Sequence, residues 1–168
     1  TGICSSSLAH RRFQEWAAAG VFHEFWRRGL LAYEEAAGID GAWLALDGAM
    51  GKAPLGGGED RPEPDGQGKS GSKRSLLTDR RGVPLGLAVD GANRNDHKLM
   101  RASLEAILVE RPEPTLERPQ GLCLNKRYDD EPRALAAEFG FTLHLRTRSE
   151  EIGAKRHAGA KARRWVAK

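Results

Sequence analysis

Cysteine is nearly absent from this chain: Cys4 and Cys123 are the only two, and they form no Cys-x-x-Cys pair. That scarcity excludes a disulfide-stapled secreted scaffold and, with no histidine at ligand spacing, a structural zinc site. No apolar run approaches the roughly 20 residues that cross a bilayer. The amino-terminal segment also lacks the apolar block of a signal peptide. Neither membrane nor export is expected, and a reduced, cytoplasmic protein fits the cysteine usage. Internal repeats are absent too, which excludes a solenoid.

Positive charge is what the chain has in excess. Its formal net charge is +4 and its pI about 9.3. The basic residues gather at Arg11 and Arg12, at Arg27 and Arg28, from Lys69 to Arg74, and from Lys155 to Arg164. Clustered cations favour a polyanion, because each neutralised phosphate releases condensed counterions. A solvated basic surface is the competing reading. The 168 residues suit about one domain, able to bury roughly 70% of its unfolded surface.

Periodicity divides the chain into helical and strand-rich parts. After the N-cap hydroxyls of Ser5, Ser6 and Ser7, residues 8–18 space Leu8, Phe13, Trp16 and Ala17 as on a helix, which Gly20 closes. Residues 21–37 repeat the pattern, weakened at Gly29. This pair is either a helical hairpin that caps the domain or the tail of a helix-turn-helix, and the hairpin is preferred. A strand is expected at 42–47, then a Gly-rich stretch over 51–71. Two strands, 73–78 and 83–89, follow around a turn at Arg81-Gly82. The Gly-rich stretch is too long for a passive connection, so it is either disordered or a binding loop; its Lys52, Lys69, Lys73 and Arg74 favour a binding loop. Further on come a helix over 95–109, a Pro-rich break over 111–119, and a strand over 121–125. A helix over 130–139 and a strand over 141–146 complete the pattern before a basic end. Together these elements make a mixed α/β sheet.

Two strand candidates carry the chemistry. Trp43-Leu44-Ala45-Leu46 delivers the carboxylate of Asp47, and Gly121-Leu122-Cys123-Leu124 delivers the amide of Asn125. For a lone Asp after a strand, the bland reading is a turn residue or a helix cap. Surrounding motifs reverse that weighting. They are Ser5-Ser6-Ser7 with Arg11-Arg12-Phe13-Gln14-Glu15-Trp16, Leu46-Asp47-Gly48, Lys52-Ala53-Pro54-Leu55-Gly56-Gly57, and Gly71-Ser72-Lys73-Arg74. Gly91-Ala92-Asn93-Arg94-Asn95-Asp96, Leu124-Asn125-Lys126-Arg127-Tyr128-Asp129 and Arg163-Arg164-Trp165-Val166 follow in order. Together they resemble the bacterial insertion-sequence DDE transposases of the family named for insertion sequence five, from near residue 5 to the end.

The resemblance implies an RNase H-like mixed sheet with flanking helices over 41–168, cut short at its last helix. Residues 1–40 would be the helical remnant of a DNA-binding region. It also implies double-stranded DNA as partner, cleaved and joined at terminal inverted repeats during DNA transposition and recombination, with a homodimer as one open assembly state. In such a mobile-element enzyme Asp, Asp and Glu hold two magnesium (Mg2+) or manganese ions. Clustered oxygen ligands suit these cations, which activate the attacking hydroxyl and stabilise the leaving oxygen.

By that resemblance Asp47 takes the first ligand position. Asn125 stands where the family has its second Asp, and an amide brings no charge and no base. Arg127 replaces a glycine in the same motif. The third ligand should be a Glu after Arg163-Arg164-Trp165-Val166-Ala167, where this chain has Lys168. One carboxylate, one amide and one ammonium carry no net charge where three carboxylates would carry three negative charges. Loss of two-metal binding is therefore expected. Asp96, Asp129 and Asp130 could substitute only with a rearranged backbone, and Asp96 is better read as a helix N-cap. Asp to Asn and Glu to Lys each need a single G-to-A change, which is consistent with a decaying element copy; intact copies of the element carrying Asn and Lys throughout would refute this.

Candidate phosphate contacts are Arg11, Arg12, Lys52, Lys69, Lys73, Arg74, Lys126, Arg163 and Arg164, since Lys and Arg position DNA without reading it. Trp165 is more readily core than a base-stacking platform. The alternative to a transposase lineage with impaired catalysis is a non-catalytic DNA-binding protein or regulator derived from one.

Overall fold

Ser5 begins the first helix. Its backbone is extended and its Oγ accepts the Leu8 N–H at 3.3 Å, so α1 (Ser6–Ala18) carries the cap that the serine run predicts. Gly20, at φ 71°, supplies the left-handed link into α2 (Val21–Ala37). α2 has the bounds expected over 21–37 and runs unbroken through Gly29, where the helical pattern is weakened. Glu24 ties the preceding turn to Arg27 and Arg28 by ion pairs of 2.8 and 2.7 Å, support that offsets the glycine's poor propensity.

The computed structural model describes residues 4–52, 61–62, 70–94, 96–124 and 131–145. The chain divides into two units, Thr1–Gly38, which holds the helix pair, and Ile39–Lys168.

The second unit is built on a mixed sheet. β1 (Trp43–Lys52) does not end at Asp47 as expected but continues to Lys52. Its antiparallel partner, β3 (Ser70–Thr78), pairs along it from Ala45↔Thr78 to Lys52↔Gly71. A backbone ladder needs no particular side chain, so Gly48, Ala49 and Gly51 extend the strand while giving no strand signal in the sequence. The Gly-rich stretch is likewise not one connection, since both its ends lie in strands and β2 (Arg61–Pro62) pairs with the start of β3. The rest of that stretch, with the binding loop expected there, lies outside the described residues.

β4 (Pro84–Gly91) follows β3 through a turn that Asp79 organises. The buried carboxylate accepts the N–H groups of Arg81 and Val83 through Oδ1, both at 2.8 Å, and that of Asp40 through Oδ2 at 3.2 Å. Gly82 takes φ 87°, and its N–H donates to the Asp79 carbonyl at 3.1 Å. α3 (Asp96–Glu105) ends earlier than the apolar spacing suggested, and Ile107 and Leu108 lie half-buried in the connection. β5 (Gln120–Leu124), α4 (Glu131–Glu138) and β6 (Phe141–Leu145) complete the described chain. The strand order is β2-β3-β1-β5-β6 with β4 also on β3; β5 is parallel to β1, and β6 to β5. This is an α/β fold with a mixed sheet.

Register assigns the side chains to two faces. Leu44, Leu46, Ser75, Leu77, Gly86, Ala88, Leu122, Leu124 and Phe141 share the buried face, with Leu99, Met100, Leu104 and Ala136 of the helices completing the core. Gly86 is where α3 comes closest, since a Cβ there would sit 2.3 Å from the Ser103 carbonyl oxygen. Ser103 Oγ in turn donates to the carbonyls of Ser75 and Leu99. Arg101 links α3 to α4 through a two-pronged ion pair with Glu138, at 2.9 and 2.6 Å.

Candidate metal and nucleic-acid site

Asp47 lies in the middle of β1, on the face opposite that core. Alternation along the strand and the pairing Asp47↔Leu76↔Leu87 place it with Trp43, Ala45, Leu76, Arg74, Leu87, Val89, Gly121 and Cys123. Leu87 and Val89 are exposed there, and Asp47 itself is half-buried. Among the described residues its carboxylate has no hydrogen-bond or ion-pair partner. Among the described residues the parallel pairing of β1 with β5 runs from Trp43↔Gly121 to Leu46↔Leu124, so Asp47 is the residue of β1 next after the last described pair, and it is itself paired with Leu76 of β3.

Asn125 follows Leu124 in the chain but lies outside the described residues, as do Lys69, Lys126, Arg163, Arg164 and Lys168. Asp129 and Asp130 lie outside them too, and of Asp96 only its place at the start of α3 is described. Among the described residues no group of three or more His, Cys, Asp or Glu is placed to hold a metal ion.

The basic candidates separate into distinct places. Arg74 is exposed on the same face as Asp47 and pairs in register with Ala49, two residues along β1. Its guanidinium reaches the other way, with Nη2 3.8 Å from where a Cβ on Gly51 would stand. Lys73 is on the opposite face, and its Nζ donates to the Arg94 carbonyl at 2.9 Å, which ties the end of β3 to the loop before α3. Lys52 ends β1 opposite Gly71. Arg11 and Arg12 lie on α1 in the other unit, exposed, where Arg12 donates to Glu15 at 2.7 Å and Arg11 approaches the same carboxylate at 3.8 Å. Exposed pairs of this kind are weak enough to exchange for a phosphate.

Sequence reasoning missed three groups that shape this unit. Asp79 is one, although an Asp three residues before a turn glycine is a recognisable turn signal. Trp43 and His144 form a second, their ring centroids 4.5 Å apart over Gly121, where a Cβ would meet Trp43 at 2.9 Å. The third is Arg111, which stacks 3.8 Å from the centroid of Phe141 and donates to the Phe139 carbonyl. Desolvation lowers the pKa of this guanidinium below its ordinary value. Neither pair has local periodicity or motif spacing that could have flagged it, because the partners come from distant segments.

No family model matches the chain, and no curated protein matches it significantly.

Proposed function

We propose that this chain is an RNase H-like catalytic domain of insertion-sequence DDE transposase lineage, in which the scaffold persists and the metal site has lost its charge. The observation that carries this reading is the pairing of β1 with β5. The two strands are neighbours, parallel and in register Leu46↔Leu124, so Asp47 and Asn125 are each the next residue after a paired position. The three antiparallel strands β1, β3 and β4, followed by α3, β5, α4 and β6, support the same reading.

The residues present do not fit a pair of divalent cations. Asp47 is the single carboxylate among the three expected donors, and the other two positions hold the Asn125 amide and the Lys168 ammonium. At an effective dielectric of about 20, each unit charge removed at ~4 Å weakens the interaction by about 4 kcal/mol per unit of cation charge. Strand cleavage and transfer at terminal inverted repeats is thus the ancestral activity, and this chain is impaired in it.

Non-catalytic DNA binding is the second reading, favoured by the exposed guanidinium groups of Arg11, Arg12 and Arg74, which need no metal to meet phosphate. A plasmid carrying the DNA that flanks the gene, incubated with manganese, tests both. Nicking is expected with the Asn125→Asp, Lys168→Glu variant and not with the chain as it stands. Nicking by the unaltered chain would overturn the impairment, and failure of either chain to bind DNA at low salt would overturn the lineage reading.

A further inference from the structure

The pairing of β1 with β5 has no turn to fix it. The two strands are parallel, and β2, β3, β4 and α3 come between them in the chain, so no hairpin sets their register. Their apolar residues decide only the face. A slip of two residues keeps Leu44 and Leu46 on the buried side, because the side-chain period of a strand is two. Selection of one register among these needs a contact that a slip would break.

Gly121 supplies that contact. It is the glycine of β5, it is buried, and it pairs with Trp43 of β1 on one side and Thr142 of β6 on the other. The rings of Trp43 and His144 close over it from the two flanking strands, their centroids 4.5 Å apart and their planes inclined by 39°. A Cβ at this position would stand 2.9 Å from Trp43 Cε3, and 3.0 and 3.1 Å from His144 Cδ2 and Nε2. The two rings therefore occupy the volume that any side chain at 121 would take. A slip in one direction would set Trp43 against Cys123, whose side chain fills that volume. A slip in the other would set it against Pro119, outside β5.

The register so chosen bears on the candidate site. The offset of Trp43↔Gly121, carried one residue past the last described pair Leu46↔Leu124, sets Asp47 against Asn125. A two-residue slip would set Asp47 against Cys123 or Arg127 instead.

We infer that Gly121, Trp43 and His144 are positioning residues for the Asp47 site, a lock of two rings over one glycine that selects the register of β1 on β5. Their service to that site rests on the function proposed above. The lock itself is measured without metal or DNA, so its failure and the failure of that reading are distinguishable.

Cross-strand NOEs in the isotope-labelled full chain test it. The unaltered chain is expected to show backbone NOEs for Leu44↔Leu122 and Ala45↔Cys123, and for Leu46↔Leu77 and Asp47↔Leu76 between β1 and β3. In Gly121→Ala the β1–β5 set should weaken at least about fivefold, the lower end of what overpacking shifts an equilibrium by, while the β1–β3 set persists. Gly86→Ala, which crowds the same sheet on β4, should leave the β1–β5 set in place. An unaltered chain without the β1–β5 set, a Gly121→Ala chain that keeps it, or equal weakening of both sets would overturn the lock. Should Gly121→Ala fail to fold, Trp43→Leu decides, since it removes the indole and adds no atom at 121: an intact β1–β5 set in that variant refutes the assignment, and its selective loss supports it.

Discussion

Replacing Gly86 with alanine tests how closely α3 seats on the sheet. The added Cβ would stand 2.3 Å from the Ser103 carbonyl oxygen and 3.4 Å from its carbonyl carbon. Both are backbone atoms in a helix turn, which cannot rotate aside as the end of a side chain can. Relief requires α3 to lift by about an ångström, loosening Leu99, Met100 and Leu104 and lengthening the 3.1 Å bond from Ser103 Oγ to the Ser75 carbonyl. Overpacking typically costs about 1–3 kcal/mol, and an obstructed backbone belongs at the upper end, so the expected loss is about 3 kcal/mol. With a urea slope of about 2 kcal/mol per molar, the unfolding midpoint falls by roughly 1.5 M. Gly48→Ala is the matched comparison, because its Cβ would meet only the Arg74 carbonyl at 3.9 Å, an ordinary contact. That variant should change stability by less than about 1 kcal/mol. Equal midpoints for Gly86→Ala and the unaltered chain would refute the close seating of α3 on β4.

Asp79→Ala strands the N–H groups of Arg81, Val83 and Asp40 and is expected to cost about 3 kcal/mol, read by the same urea midpoints; a loss under about 1 kcal/mol would contradict the turn's dependence on that carboxylate. Glu24 should titrate at about 2 in a carbon-detected NMR titration, because its hydrogen bonds to Arg27 and Arg28 favour the ionised form. Its folded pKa lies below its unfolded one, so its support of α2 is complete above the ordinary value of 4.5 and fades as pH falls from there through about 2. Arg27→Ala with Arg28→Ala should return the midpoint to the ordinary carboxylate range, and no movement would contradict the cause. Arg74→Ala should reduce the salt dependence of duplex DNA binding by about one unit of slope, measured by fluorescence anisotropy, whereas an unchanged slope would remove Arg74 from the phosphate contacts.

Where the sequence was legible, a local period or a local turn made it so. α2 stands out because Phe22, Phe25, Trp26 and Leu30 recur at helical spacing, and the β3–β4 hairpin because Gly82 takes the left-handed conformation that its turn requires. The continuation of β1 beyond Asp47 was hidden because it depends on a cross-strand ladder with β3, and Gly48-Ala49-Met50-Gly51 has no alternation of its own. β2 is two residues held by a neighbour, one of them a proline that suits only an edge. α3 read as too long because Ile107 and Leu108 keep the helical spacing while packing outside the helix. At the candidate site, Asp47 was visible as a charge at the end of an apolar run. Its place opposite Leu76, on the face away from the core, follows from long-range register, which one segment cannot encode.

The most direct test of the central claim is calorimetric titration of manganese into the unaltered chain and into the Asn125→Asp, Lys168→Glu variant. The account predicts tight binding to the variant alone, because restoring two carboxylates and removing a cation returns the charge that divalent ions require. Tight binding to the unaltered chain, or none to either, would contradict it.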